Sequence, residues 1–106
     1  MSISRILIIK FSVLFSVIRN NEIKILDVVE AMETSLTHKK PEERSAGTRF
    51  LADIIHELPK DHLNSDQLKN MTLFFIDRLK DHHSVVPHVI SALLALVSMI
   101  ILTFKQ

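Results

Sequence analysis

Residues 25–58 and 68–101 carry the same apolar pattern at a constant offset of 43 positions. The offset pairs Ile25 with Leu68, Val28 with Met71, Ala31 with Phe74, Met32 with Phe75 and Leu36 with Leu79. It continues through Ala46 and Val89, Phe50 and Leu93, Leu51 and Leu94, Ile54 and Val97, and Leu58 and Ile101. A tandem copy of this length constrains the fold more than any single motif. Each copy is one supersecondary unit too small to bury its own apolar face, so neighbouring copies must stack to make a continuous core.

Within each copy the apolar residues follow helical spacing, interrupted once near the middle, which predicts two helices per copy. A helix pair repeated every ~40–47 residues is the HEAT or armadillo plan. The expected fold class is therefore all-α: antiparallel helix pairs of a HEAT/armadillo-like solenoid, about two repeats (22–58 and 65–104) plus an N-terminal apolar helix. Such scaffolds bind other proteins, so a binding function is expected rather than catalysis.

The first helix is predicted from near Glu22 to Leu36, with Ile25, Val28, Val29, Met32 and Leu36 on its buried face. Pro41 suits the first turn of the second helix, where its missing N–H costs nothing. Glu42 and Glu43 there meet the positive end of the helix dipole. This helix should run to about Leu58 and bury Ala46, Phe50, Leu51, Ile54, Ile55 and Leu58. Gly47, the one glycine of the chain, costs about 1 kcal/mol against Ala inside a helix. Close approach of a neighbouring helix is one offsetting reason. Pro59 ends the segment. A third helix then starts at a cap on Asn64 or Ser65, with Gln67 completing a capping box, and buries Leu68, Met71, Phe74, Phe75 and Leu79. A turn around residues 81–84 leads to a fourth helix with Pro87 in its first turn.

Composition bounds the function. The chain is 47% apolar and 24% charged, which is globular, and its formal net charge is +1. That small charge gives no field for holding nucleic acid or an anionic membrane. Lys39, Lys40, Arg44 and Arg49 form the one basic cluster, but Glu42 and Glu43 interleave with it, and the aromatics are all Phe at apolar-face or end positions. No direct nucleic-acid contact is expected. With no cysteine, thiolate ligation and thiol nucleophiles are excluded.

Residues 1–21 form an apolar, basic segment, with Arg5, Lys10 and Arg19 and no acid, expected to be a cap helix or a leader. Lys10 lies off the helical face shared by Arg5 and Arg19, so no single basic stripe forms. Ser84 to Phe104 contains no Asp, Glu, Lys or Arg and is long enough to span a bilayer. Pro87 and His88 near its start shorten the strongly apolar run, and the offset maps it onto the amphipathic helix of residues 42–58. A buried helix is therefore the expectation. A small membrane-associated helical protein, anchored by this stretch, is the alternative.

The run Pro41-Glu-Glu-Arg-Ser-Ala-Gly-Thr-Arg-Phe-Leu51 and the run Phe75-Ile-Asp-Arg-Leu-Lys-Asp-His-His-Ser-Val-Val-Pro87 carry a resemblance. Together they resemble the N-terminal HEAT region of the MMS nineteen family, over roughly residues 23–97. Asp77-Arg-Leu-Lys-Asp-His-His83 followed by Pro87 is its most specific element, because HEAT packing does not itself require two adjacent histidines. The resemblance implies a non-enzymatic scaffold of the cytosolic iron-sulfur protein assembly targeting complex. Its implied partners are a WD-repeat protein, a small adaptor and iron-sulfur client proteins of DNA repair, replication and transcription. The implied setting is nucleus and cytoplasm, with no cofactor of its own. The chain is much shorter than the family's usual length, so only part of that function is expected of it. The partner-contact surface this implies comprises Arg44, Arg49, Asp77, Arg78, Lys80, Asp81, His82 and His83.

Asp81, His82, His83 and His88 invite a metal reading, since imidazole and carboxylate suit zinc or iron. Adjacent residues on a turn point in different directions, however, and no spaced ligand set such as H-x-x-x-H is present. Neither a metal site nor a catalytic residue is expected. Ser84, His83 and Asp81 on one turn do not converge as a triad requires. Asp81 is expected to close the inter-helix turn through a hydrogen bond from side chain to backbone.

Overall fold

The computed structural model describes residues 16–105, and these form helices and turns only. Most of the expected N-terminal segment 1–21 lies outside the described residues. Residues 16–19 are helical, and Asn21 ends that turn in the left-handed region at φ 62°. The Glu22 N–H donates to Val17 O at 2.9 Å and the Asn21 N–H to Ile18 O at 3.0 Å. This is the paired closure of a Schellman cap, and Asn accepts its left-handed position at low cost.

The first repeat begins with α1 (Ile25–Ala31) and α2 (Glu33–Leu36), where a single helix was expected. Met32 separates them with φ −94° and ψ 4°, and its N–H is shared between Val28 O and Val29 O. Val28, Val29, Thr34 and Thr37 are poor helix formers, and Thr37 Oγ1 donates to Glu33 O at 2.8 Å. The tightened turn still leaves Ile25, Val28, Met32 and Leu36 on one buried face.

Helix α3 (Pro41–Glu57) has Pro at its start, Glu42 and Glu43 in its first turn, and Pro59 just beyond Leu58. Phe50, Leu51, Ile54, Ile55 and Leu58 are all buried. Ala46 is half-buried. Gly47 faces α2 so closely that a Cβ there would stand 2.6 Å from Ser35 Oγ. Close approach is thus the reason for a glycine inside this helix.

Helix α4 (Ser65–Asp77) opens on the expected capping box. The Gln67 N–H donates to Asn64 Oδ1 at 2.8 Å and the Asn64 N–H to Gln67 Oε1 at 3.0 Å. Leu68, Met71 and Phe75 are buried and Phe74 is half-buried. Leu79, expected in the core, is 41% exposed. The chain passes into a 3₁₀ turn over Arg78–Lys80, which advances three residues per turn instead of 3.6 and swings Leu79 off the buried stripe.

Helix α5 (Val86–Lys105) packs against both α3 and α4. It buries Val89, Ala92, Ala95, Leu96 and Met99. By length and apolarity alone α5 could cross a membrane; its buried face is occupied by protein, while Ile90, Leu94, Val97 and Ile101 are exposed. Side chains from every helix join one core, which also includes Ile18 and Val85.

Candidate interaction surface at the loop edge

The turns that join the helices of each pair come together at one edge, and Arg44 ties them to each other. It sits in the first turn of α3, so its side chain reaches both turns. Nη1 donates to His38 O at 2.6 Å and to Lys39 O at 3.1 Å in the turn before α3. Nε and Nη2 meet the Asp81 carboxylate of the second repeat, at 3.1 Å to Oδ2 and 2.9 Å to Oδ1 respectively. A two-pronged guanidinium–carboxylate contact of this kind fixes direction as well as distance.

Asp81 also accepts the His82 N–H at 2.6 Å, the turn closure expected from sequence. Burial alone would push the Asp81 carboxyl up. The hydrogen bonds from Arg44 and His82, together with the positive charges of those residues, outweigh that and hold it below the ordinary carboxylate value. Two further polar ties run along the same seam. Ser45 Oγ donates to Ser84 O at 2.9 Å, and His56 Nε2 lies 3.0 Å from both Ser91 O and Ser91 Oγ. Sequence spacing gave no sign of these pairs, since their members stand in different repeats.

The residues proposed for partner contact fall into four groups. Arg44 and Asp81 are half-buried and spend their charge on each other. Lys80, His82 and His83 stand exposed on the turn beside them. The two imidazoles stack with centroids 4.0 Å apart. The Ser84 N–H donates to His82 Nδ1 at 3.1 Å, and Ser84 Oγ lies 2.9 Å from the same nitrogen.

Arg78 turns the other way, toward α1 and α2, while Asp77 beside it stands exposed. The Arg78 guanidinium lies 3.7 Å from the centroid of the Phe74 ring and 4.0 Å from Asp77 Oδ2. Val29, Glu30 and Glu33 line the same groove. Burial lowers the Arg78 pKa, against the pull of Asp77 and Asp81. Arg49 sits apart on the exposed side of α3, 4.0 Å from Asp53. Nearby, burial lowers the His88 pKa, the Arg49 charge adds to that, and Asp53 opposes it.

Ser84, His83 and Asp81 are not arranged as a triad. It is His82, not His83, that meets Ser84, and Asp81 bonds Arg44 and a backbone N–H rather than an imidazole. Among the described residues no three His, Asp or Glu side chains form a group that could hold a metal ion.

Helices stacked in pairs, copied at an offset of 43 and tied together along one seam, define an all-α helical-repeat protein. Comparison with known proteins places it further: the family described as Dos2-interacting transcription regulator of RNA-Pol-II matches residues 29–106. The chain belongs to this family, the N-terminal region of MMS19 proteins. It is 42% identical over 72 residues to the MMS19 nucleotide excision repair protein of Drosophila melanogaster, a match covering 68% of this chain and 8% of that protein. The Mus musculus homolog is 39% identical over 75 residues, covering 68% and 7%. The Homo sapiens homolog is 33% identical over 82 residues, covering 74% and 8%. The chain thus spans less than a tenth of the length of the curated relatives it matches. No solved structure matches it.

Proposed function

We propose that the chain is a non-enzymatic scaffold segment of the cytosolic iron-sulfur protein assembly targeting complex. It helps deliver clusters to proteins of DNA repair, replication and transcription, in nucleus and cytoplasm. The family match over residues 29–106 carries this reading. The relatives' names support the repair connection, since they are called nucleotide excision repair proteins. The family description supports a connection with transcription.

The geometry supports a binding role. Arg44 and Asp81 hold two turns in fixed relation, and the rigid edge so formed displays Lys80, His82 and His83 to solvent. A preformed polar edge lowers the ordering cost of docking a partner. The partners proposed are the complex's WD-repeat protein, its small adaptor and iron-sulfur client proteins.

The test is affinity capture of residues 1–106 from cell lysate, read by mass spectrometry, beside a Lys80→Glu/His83→Ala variant. Enrichment of those complex members or of client helicases, reduced in the variant, is the expected result. Recovery of chaperones alone from both chains would rule out independent adaptor function for this segment.

A further inference from the structure

The loop edge gathers cations that the sequence keeps apart. Lys39 and Lys40 lie in the turn between α2 and α3, and Lys80 lies in the turn between α4 and α5. Arg44 draws these turns together, because Lys39 O and Asp81 Oδ1 both accept from its one guanidinium, at 3.1 Å and 2.9 Å. Lys39, Lys40, Lys80, His82 and His83 all stand exposed there.

The lysine charge is not spent within the molecule. Glu42 and Glu43 interleave with the lysines in sequence, yet both stand in the first turn of α3. Among the described residues no ion pair joins either of them to Lys39 or Lys40. Asp81 is the one acid between Arg78 and Ile90, and it is committed to Arg44, so Lys80 makes no ion pair either. Like charges gathered at one edge repel each other. They stay together because the two-pronged Arg44–Asp81 contact fixes the turns.

The extent of this charge selects its complement. Helices α1 and α2, which lead into the edge, carry Asp27, Glu30 and Glu33, with no Lys or Arg from Ile25 to His38. The basic surface is therefore short and bounded by acid. Three lysines release too few counterions to hold a long polyanion, and the rings at the edge are imidazoles rather than the Phe, Tyr or Trp on which bases stack. A peptide with a few carboxylates matches both the sign and the length. Each turn joins the two helices of one repeat, so neither is a flank on which a further repeat would stack.

We propose that the segment docked at this edge is acidic: a short extended run whose Asp and Glu carboxylates meet Lys39, Lys40 and Lys80 across the two turns, beside the stacked His82 and His83 rings. This rests on the reading of the edge as the scaffold's docking surface, and adds the chemistry of its partner. Complementary charge of this kind sets specificity and the rate of encounter.

Fluorescence anisotropy of the purified full chain tests it with three fluorescein-labelled probes. They are a ten-residue peptide alternating Glu and Ser, its counterpart alternating Lys and Ser, and a ten-nucleotide oligothymidylate. The acidic peptide alone should bind, more weakly as salt rises. Lys39→Met/Lys80→Met should weaken that binding by roughly tenfold. Lys60→Met/Lys69→Met removes the same charge from exposed positions at the opposite ends of α3 and α4, and should leave affinity within about twofold. Helical circular dichroism should be unchanged in both variants, since none of these lysines makes an ion pair among the described residues. A chain that ignores the acidic peptide overturns the proposal. Equal weakening by the two double variants also overturns it, and reduces the attraction to net charge. Preference for the oligothymidylate overturns it as well, and assigns the edge to nucleic acid. The two readings fail separately. If lysate capture depends on Lys80 and His83 while the purified chain ignores the acidic peptide, the scaffold reading stands and the acidic partner is overturned.

Discussion

Helices α3 and α5 occupy equivalent places in the two repeats and carry the same apolar pattern, yet they bury it differently. Leu51 is fully buried, while Leu94 at the matching position is 64% exposed. Ile54 and Val97 differ in the same way, as do Leu58 and Ile101. Helix α5 keeps its fold by burying another stripe, through Val89, Ala92, Ala95, Leu96 and Met99. The difference teaches that an apolar pattern specifies which face of a helix seeks cover. Whether that face is covered depends on the next layer. α3 has α5 beside it, and the equivalent flank of α5 has nothing from the described residues.

The sharpest way to break this comparison is one substitution made twice. Leu51→Ala should destabilise by roughly 2–5 kcal/mol through lost burial and the cavity left behind. Leu94→Ala should stay within about 0.5 kcal/mol, because that side chain is exposed. Chemical denaturation of both variants reads the gap, and equal losses would mean that the second repeat is covered as fully as the first.

A smaller effect tests what joins the repeats. Arg44→Ala or Asp81→Asn should cost about 1–2 kcal/mol, between an exposed ion pair and a buried charged hydrogen bond. The pH dependence has a definite sign. Because the folded-state pKa of Asp81 is depressed, its contribution is complete above the carboxyl's unfolded value and is lost as pH falls through the folded one. Asp81→Asn should therefore flatten the acid limb of the stability curve. An acid limb identical to that of the parent chain would remove Asp81 from this role.

The smallest effect concerns close approach in the first repeat. Gly47→Ala gains about 1 kcal/mol of helix propensity, but its Cβ meets Ser35 Oγ at 2.6 Å, and we expect a net loss. Adding Ser35→Ala should recover most of it, since the obstructing atom is gone. A stabilised Gly47→Ala single variant, seen as a raised melting temperature, would show that Ser35 gives way freely.

Features legible in sequence share a physical origin: they depend on residues near one another in the chain. Pro41 and Pro59 bound α3, and the Asn64–Gln67 box starts α4, because caps act through bonds spanning three or four residues. The closure of the 81–84 turn by Asp81 was legible for the same reason. Leu79 was misplaced because the 3₁₀ turn changes the angular step just where the helical pattern would have put it inside. The break at Met32 was hidden because both halves keep the same buried face. Of the candidate surface, the exposed Lys80, His82 and His83 could be anticipated on the loop edge. The use of Arg44 and Asp81 on each other could not, since 37 residues separate them. Arg78 was named from sequence too, but only the groove it shares with Val29, Glu30 and Glu33 shows that it faces the first repeat.

By itself the sequence determined the helices, their ends and the apolar stripe that each carries. Those follow from local torsions, capping bonds and a 3.6-residue period, all written in consecutive residues. Tertiary structure alone decided which stripe of α5 is buried, which turn Arg44 reaches and why a Cβ at position 47 would crowd Ser35. These depend on distances between segments far apart in the chain, which are set when the two repeats stack and their shared core excludes water.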